Sequence, residues 1–119
     1  MKKLFAITVP ILPGKTNQWK KFITDLNGKH YEEFAESRKR LGVRERTYYQ
    51  TTPQGDFVIV TLEGNEPQTA FTEFAKTDDK FTQWFSKEVK EIHGFDMSNP
   101  PQGPLPELVI DSLAMVEQN

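Results

Sequence analysis

Hydrophobic and polar positions repeat with two different periods along this chain, and the change of period defines the predicted elements. An apolar run at residues 4–12 has the length and composition of a buried strand. Two longer segments carry apolar side chains three and four positions apart, as amphipathic helices do, and they flank a hairpin. A short apolar stretch at residues 105–111 predicts a last strand. The sequence therefore predicts the order β-α-β-β-α-β.

The first helical segment begins near Asn17, with Thr16 as its predicted N-cap. Its apolar stripe consists of Trp19, Phe22, Ile23 and Leu26. After Asn27 and Gly28 the stripe continues, rotated by about a quarter turn, as Tyr31, Phe34, Arg38 and Leu41. A kink at Gly28 is the simplest explanation of this rotation. The charged residues 36–40 are interpreted as a solvated helix face.

The hairpin joins residues 43–51 to residues 56–63 through Thr52, Pro53, Gln54 and Gly55. The first of its strands has two mixed faces, one with Val43, Glu45, Thr47, Tyr49 and Thr51 and the other with Arg44, Arg46, Tyr48 and Gln50. The second strand is apolar at consecutive positions, which predicts cover on both faces of the sheet. Because two short helices can cover only one face, we expect a second copy of the chain to cover the other.

The second helical segment opens with Pro67 at its first position, where the missing N–H costs nothing. Thr77 or Asp78 is predicted to cap a restart. The buried stripe of the two parts consists of Ala70, Phe71, Phe74, Ala75, Phe81, Trp84, Phe85, Val89 and Ile92. His93 and Gly94 end the helix, residues 95–104 form a proline-rich connector, and the tail from about residue 113 is expected to be loosely held.

Composition narrows the classes of partner. The 119 residues predict a single α+β domain over residues 1–119. With 15 basic and 17 acidic residues there is no basic excess for nucleic acid. Two prolines and the lack of a small-x-small cleavage site argue against a signal peptide at the first apolar run, and nine apolar-rich residues are too few to span a membrane. There is no cysteine. The lack of cysteine excludes a disulfide framework and leaves the redox compartment open, so a cytoplasmic location is the default expectation. We expect the protein to bind neither nucleic acid nor membrane.

The element order, the unbroken apolar hairpin strand and the helix break at Asp78 and Asp79 resemble the dimeric α+β barrel superfamily. The resemblance covers nearly the whole chain and concerns pattern, not a catalytic signature. It implies a ferredoxin-like four-stranded antiparallel sheet, a homodimer whose two sheets close into a barrel, and a ligand cavity between sheet and helices. The superfamily includes cofactor-free monooxygenases that oxidise polycyclic aromatics, haem-binding and haem-degrading proteins, lactone isomerases and small bacterial proteins without an assigned role.

Two residues are candidates for catalysis. His30 is one of only two histidines and suits acid-base chemistry near neutral pH. A straight first helix would aim His30, Glu33 and Ser37 into the core, whereas a kink at Gly28 would place His30 at the boundary and Glu33 in solvent. Tyr49, on a central strand, is the second candidate.

His93 has two interpretations. Beside Gly94 it can hydrogen-bond the last carbonyls of its helix. The superfamily resemblance implies the other interpretation, an axial haem ligand, because haem-degrading members carry a tryptophan about three turns before such a histidine, and Trp84 precedes His93 by nine positions. Those members also use an asparagine on the first strand, where this chain offers only Thr8.

Aromatic and polar side chains on the helices and on the central strand are the candidate ligand-binding residues. They are Trp19, Tyr31, Phe34, Arg46, Tyr48, Phe71, Phe74, Trp84 and Phe85. The sequence thus predicts a homodimer that binds a small apolar or aromatic molecule without a metal or cofactor. Three alternatives stay open: a cofactor-free monooxygenase or isomerase, a haem-binding protein, and a structural or regulatory dimer without a ligand.

Overall fold

The computed structural model describes residues 2–99 and 105–113. Within these residues lie three strands and four α-helices, in the order β1, α1, α2, β2, β3, α3 and α4, and a 3₁₀ turn at Pro67–Thr69 leads into α3. The bounds are β1 Lys3–Pro10, α1 Thr16–Asn27, α2 Tyr31–Leu41, β2 Val43–Thr52, β3 Gly55–Gly64, α3 Ala70–Ala75 and α4 Lys80–His93. None of the helices in the described ranges is both long and apolar enough to cross a membrane.

The three strands form one antiparallel sheet in the order β1-β3-β2. The predicted four-stranded, ferredoxin-like sheet is wrong, and so is the dimeric α+β barrel that two such sheets would form. Residues 105–111 have a strand-like composition but do not form a strand. Pro106 cannot donate to a ladder, and the Asp111 carboxylate accepts a hydrogen bond from the Leu113 N–H, which turns the chain. Local composition does not supply a pairing partner.

The helical segments break where the sequence predicts a change of stripe, but their caps differ from prediction. Gly28 separates α1 from α2. Thr16 is not the N-cap of α1, since Lys15 holds that position and Thr16 is the first helical residue. The cap of α4 is Asp79, whose Oδ1 accepts from the Thr82 N–H at 2.7 Å. An Asp at either of two adjacent positions gives the same sequence signal, so the pattern alone could not choose between them.

The helices cover one face of the sheet. On β3 the side chains of Val58, Val60 and Leu62 are buried, and they pack in one core with Trp19, Phe22, Phe74, Phe85 and Ile92. Their neighbours Phe57, Ile59 and Thr61 point to the other face and are only half-buried. The prediction that both faces are apolar describes β3 correctly, but no described element covers the second face, which we call the open face.

Candidate functional site

A cavity of about 420 Å³ lies between the covered face of the sheet and the helices. Its wall is mainly aliphatic and aromatic. The lining residues are Ile7, Val9, Trp19, Phe22, Ile23, Leu26, Asn27, Tyr31, Phe34, Glu45, Thr47, Tyr49, Val58, Val60, Phe71, Phe85, Val89, His93, Phe95 and Met97. This lining, taken over the described residues, contains no lysine and no arginine.

The sheet register orders the floor of the cavity into rows. Val9, Val58 and Tyr49 stand opposite one another in one row. Glu45 lies four residues before Tyr49 on β2, roughly 13 Å away along the strand. His93 is held near the Tyr49 row, because its ring bonds to the carbonyl of Pro10, which follows Val9. The cavity therefore has one polar end at Glu45 and another at His93.

Aromatic rings form the wall. Trp19 stacks on Tyr49, with ring centroids 4.9 Å apart and planes inclined by 23°. Phe85 meets Phe22 edge to face at 5.0 Å and lies nearly parallel to Phe34 at 6.4 Å. The helix stripes α1, α2 and α4 bring these rings together on one side of the sheet. Such a wall suits a flat apolar molecule.

A buried ion pair closes the Glu45 end. Arg38 Nε donates to Glu45 Oε1 at 2.7 Å, and the two side chains are only 6% and 7% exposed. Arg38 Nη1 donates to Ser37 Oγ at 3.0 Å, and Thr47 Oγ1 donates to Glu45 Oε2 at 3.1 Å. The interpretation of residues 36–40 as a solvated face is therefore wrong for Ser37 and Arg38, which are buried. Both oxygens of the Glu45 carboxylate already accept hydrogen bonds, and its charge is compensated.

The imidazole of His93 forms the other polar end. Its Nδ1 lies 2.8 Å from the carbonyl oxygen of Pro10, and since a carbonyl can only accept, Nδ1 carries the proton. Burial lowers the pKa of His93, and the hydrogen bond to Pro10 opposes that shift only in part. The ring is thus neutral near pH 7, with a lone pair on Nε2. Chemically it is a hydrogen-bond acceptor or a general base.

Tyr49 belongs to a hydrogen-bonded cluster around Asp56. Thr16 Oγ1 donates to Asp56 Oδ2 at 2.6 Å. That bond, followed by one from Thr51, lowers the pKa of Asp56, although partial burial acts in the opposite direction. Desolvation, and then the hydrogen bond and negative charge of Asp56, raise the pKa of Tyr49. The phenol therefore stays protonated at neutral pH and is a poor base.

His30 lies outside the cavity lining. Its Nδ1 donates to Glu33 Oε1 at 2.7 Å, and its ring packs 4.3 Å from Trp84 and 5.9 Å from Phe81. The break at Gly28 places His30 in the turn before α2 instead of on a core stripe. Its contacts are those of a side chain that joins the start of α2 to α4.

The structure divides the predicted site residues other than His30 into three groups. Those that line the cavity are Trp19, Tyr31, Phe34, Tyr49, Phe71, Phe85 and His93. Phe74 and Trp84 pack among the helices, with Phe74 edge to face against Phe81 and Phe85. Arg46 and Tyr48 point to the open face, since they stand opposite Thr61 and Ile59. Of the two faces of β2, the one with Glu45, Thr47 and Tyr49 is the one that lines the cavity.

The residues that the haem interpretation requires do not converge. His93 lines the cavity, whereas Trp84 packs on His30 outside its lining. Thr8 stands opposite Ile59 and points to the open face. The arrangement of these three residues therefore does not fit a haem-degrading site, and we propose no haem chemistry for this cavity. Across residues 2–99 and 105–113, no group of three or more histidine and acidic side chains could hold a metal ion.

Sequence reasoning did not find the pairing of Arg38 with Glu45, the cluster around Asp56, or the contribution of Met97. An arginine on an otherwise apolar stripe was a usable signal, because a buried guanidinium requires a carboxylate partner. Asp56 has no comparable signal. Its partner Thr16 is 40 positions away, so only the folded chain brings the two together.

No protein-family model, no curated protein and no solved structure matches this chain. These comparisons do not test the resemblance to the dimeric α+β barrel superfamily, and the four-stranded sheet that it implies is not the sheet observed. The function is therefore inferred from the geometry of the cavity.

Proposed function

We propose that this protein binds a small apolar or aromatic molecule in the cavity between the sheet and the helices. The observation that supports it is a space of about 420 Å³ with a mainly apolar wall. Protein interiors are close-packed, and voids larger than a water molecule are few. Ligand pockets, by contrast, measure about 300–1,000 Å³ and combine apolar walls with a few polar groups. The cavity has both properties.

A second candidate is a cofactor-free isomerase or oxygenase at the same site. It is supported by His93, whose neutral ring could remove a proton from a bound molecule. Neither of the two residues predicted to be catalytic supports this candidate function as strongly as His93 does. His30 does not line the cavity, and Tyr49 has a raised pKa. Turnover would therefore depend on His93, and binding without turnover would leave the first candidate standing alone.

Binding can be tested with N-phenyl-1-naphthylamine, a neutral dye whose fluorescence rises in apolar sites. The matched variants are Val60→Phe, which places a phenylalanine inside the cavity, and Ile59→Phe, which places the same side chain at the adjacent position on the open face. We expect saturable binding by the native protein and by Ile59→Phe, and at least tenfold weaker binding by Val60→Phe. Equal binding by the two variants, or none by the native protein, would contradict the proposal.

We further propose that a second copy of the chain packs across the open face. Its apolar centre includes Ile59, Phe57 and Tyr48, of which Tyr48 is 55% exposed. The part of this face in which all three strands are paired is eight residues long and covers roughly 400 Å². A stable interface buries about 800 Å² on each partner, so this face alone is too small. Residues 105–113 of the same chain supply further exposed apolar surface, with Leu108, Val109 and Ile110 between 77% and 84% exposed.

The open face and the surface of residues 105–113 belong to the same chain. A two-fold symmetric dimer can therefore bury both of these surfaces on each of its two chains. The charges near the face suit such symmetry, because Arg46 and Glu63 of opposite sign lie side by side with 3.7 Å between them. The expected assembly is a homodimer.

A further inference from the structure

The two polar ends of the cavity differ in how far their hydrogen-bond acceptors are already engaged. At one end both oxygens of Glu45 are engaged, by Arg38 and by Thr47. At the other end Nδ1 of His93 is engaged by Pro10, and among residues 2–99 and 105–113 nothing hydrogen-bonds to Nε2. Nε2 is therefore an acceptor that a bound molecule can use. This inference rests on the proposed function of the cavity.

The lining also has a definite charge preference. Its one carboxylate, Glu45, is compensated by Arg38 from outside the lining, and no lysine or arginine of the described chain lines the cavity. A ligand carboxylate would lose its hydration without finding a cation, which is unfavourable in an apolar site. A hydroxyl or N–H group, in contrast, can donate to the imidazole.

We propose that the cavity selects a neutral aromatic molecule with a hydroxyl or N–H group, which donates a hydrogen bond to Nε2 of His93. The rings of the ligand lie against Trp19, Phe22 and Phe85, while its donor points towards the row of Val9, Val58 and Tyr49. His93 is then the residue that determines specificity, and the aromatic wall supplies affinity without discrimination.

Three ligands with the same two rings separate these contributions: 2-naphthol, naphthalene and 2-naphthoate. Equilibrium dialysis at pH 7.5 measures the affinity of each. One neutral hydrogen bond corresponds to roughly a three- to tenfold preference for 2-naphthol over naphthalene. We expect 2-naphthoate to bind more weakly than either.

The matched variants are His93→Asn and His93→Gln. The shorter asparagine amide keeps a donor near the position of Nδ1 for Pro10 but has nothing at the position of Nε2. We therefore expect His93→Asn to bind naphthalene as the native protein does and to lose the preference for 2-naphthol. The longer glutamine side chain reaches the position of Nε2 with its amide, and we expect His93→Gln to restore part of the preference.

The outcomes separate this inference from the proposed function. Equal affinities for naphthol and naphthalene in the native protein would overturn the role of His93 while leaving a binding cavity. A preference that persists in His93→Asn, or tighter binding of naphthoate than of naphthol, would also overturn it. Binding of none of the three would remove the proposed function and the inference together.

Discussion

Arg38 and Glu45 form an ion pair of 2.7 Å inside the aromatic core. The guanidinium carbon lies 4.7, 4.6 and 4.9 Å from the ring centres of Phe34, Phe74 and Phe85. The pair connects α2 to β2 and closes one end of the cavity. Because the pair is neutral as a whole, it compensates the charge of Glu45, the only carboxylate in the described lining.

The ion pair leads to a stability prediction. Arg38→Met leaves a buried carboxylate without its partner, and we expect a loss of about 3–5 kcal/mol in the free energy of unfolding. Replacing both residues, as Arg38→Met with Glu45→Leu, should recover most of that loss, because no unpaired charge remains. Urea unfolding of the native protein and the three variants measures the coupling. If the losses of the two single variants simply add in the double variant, the pair is not coupled and this account of it fails.

The pKa of His93 predicts how stability changes with pH. Because burial lowers that pKa in the folded state, the unfolded chain takes up a proton first as the pH falls. Stability from this group is complete above the ordinary histidine pKa of about 6.5 and decreases as the pH falls through the folded value. We expect His93→Asn to flatten the dependence between pH 7 and pH 5 in urea titrations. An unchanged slope in that variant would contradict the shift.

The cap of α4 gives a test of local structure. Asp79→Ala removes the acceptor for the Thr82 N–H and should cost about 1 kcal/mol of stability. Asp78→Ala is the matched control, because within the described residues the Asp78 side chain accepts only from the exposed side chain of Gln83. We expect the control to stay within about 0.5 kcal/mol of the native protein in thermal or urea unfolding. A larger loss of stability for Asp78→Ala than for Asp79→Ala would contradict Asp79 as the N-cap of α4.

The two faces of β3 predict opposite consequences for one substitution. Val60→Asp places an unpaired carboxylate among the buried residues of the covered face, and we expect the chain to unfold. Ile59→Asp places it on the open face, where we expect a folded monomer instead of a dimer. Sedimentation equilibrium measures the oligomeric state of each variant, and circular dichroism measures whether it is folded. A dimeric Ile59→Asp variant would show that the open face is not the interface.

The sequence predicts what depends on neighbouring residues and not what depends on distant ones. The hairpin at Pro53 and Gly55 and the helix break at Gly28 follow from local backbone chemistry, and the structure contains both. The strand predicted at residues 105–111 has the right composition, but a strand also needs a partner edge, and composition does not specify one. Its absence overturned the four-stranded sheet.

The candidate site was predictable in part for the same reason. The aromatic stripes place Trp19, Phe34 and Phe85 on buried helix faces, which periodicity detects. The polar ends of the cavity depend on contacts between distant segments: His93 with Pro10 is separated by 83 positions. Such pairs leave no periodic signal in the sequence. The sequence therefore could not decide which of the two histidines, His30 or His93, faces the cavity, and the fold shows that it is His93.

The two tryptophans allow the most direct test of the central claim, which is that an apolar molecule occupies the cavity. Trp19 lines it, whereas Trp84 packs against His30 outside its lining. Protein that contains 5-fluorotryptophan gives one ¹⁹F resonance for each of these residues, and Trp84→Phe assigns them. On titration with naphthalene, we expect a saturable shift of the Trp19 resonance at one ligand per chain and a clearly smaller shift for Trp84, whose ring reaches the lining only through Phe22, 5.2 Å away. A shift of Trp84 alone, or no shift of either resonance, would contradict the central claim.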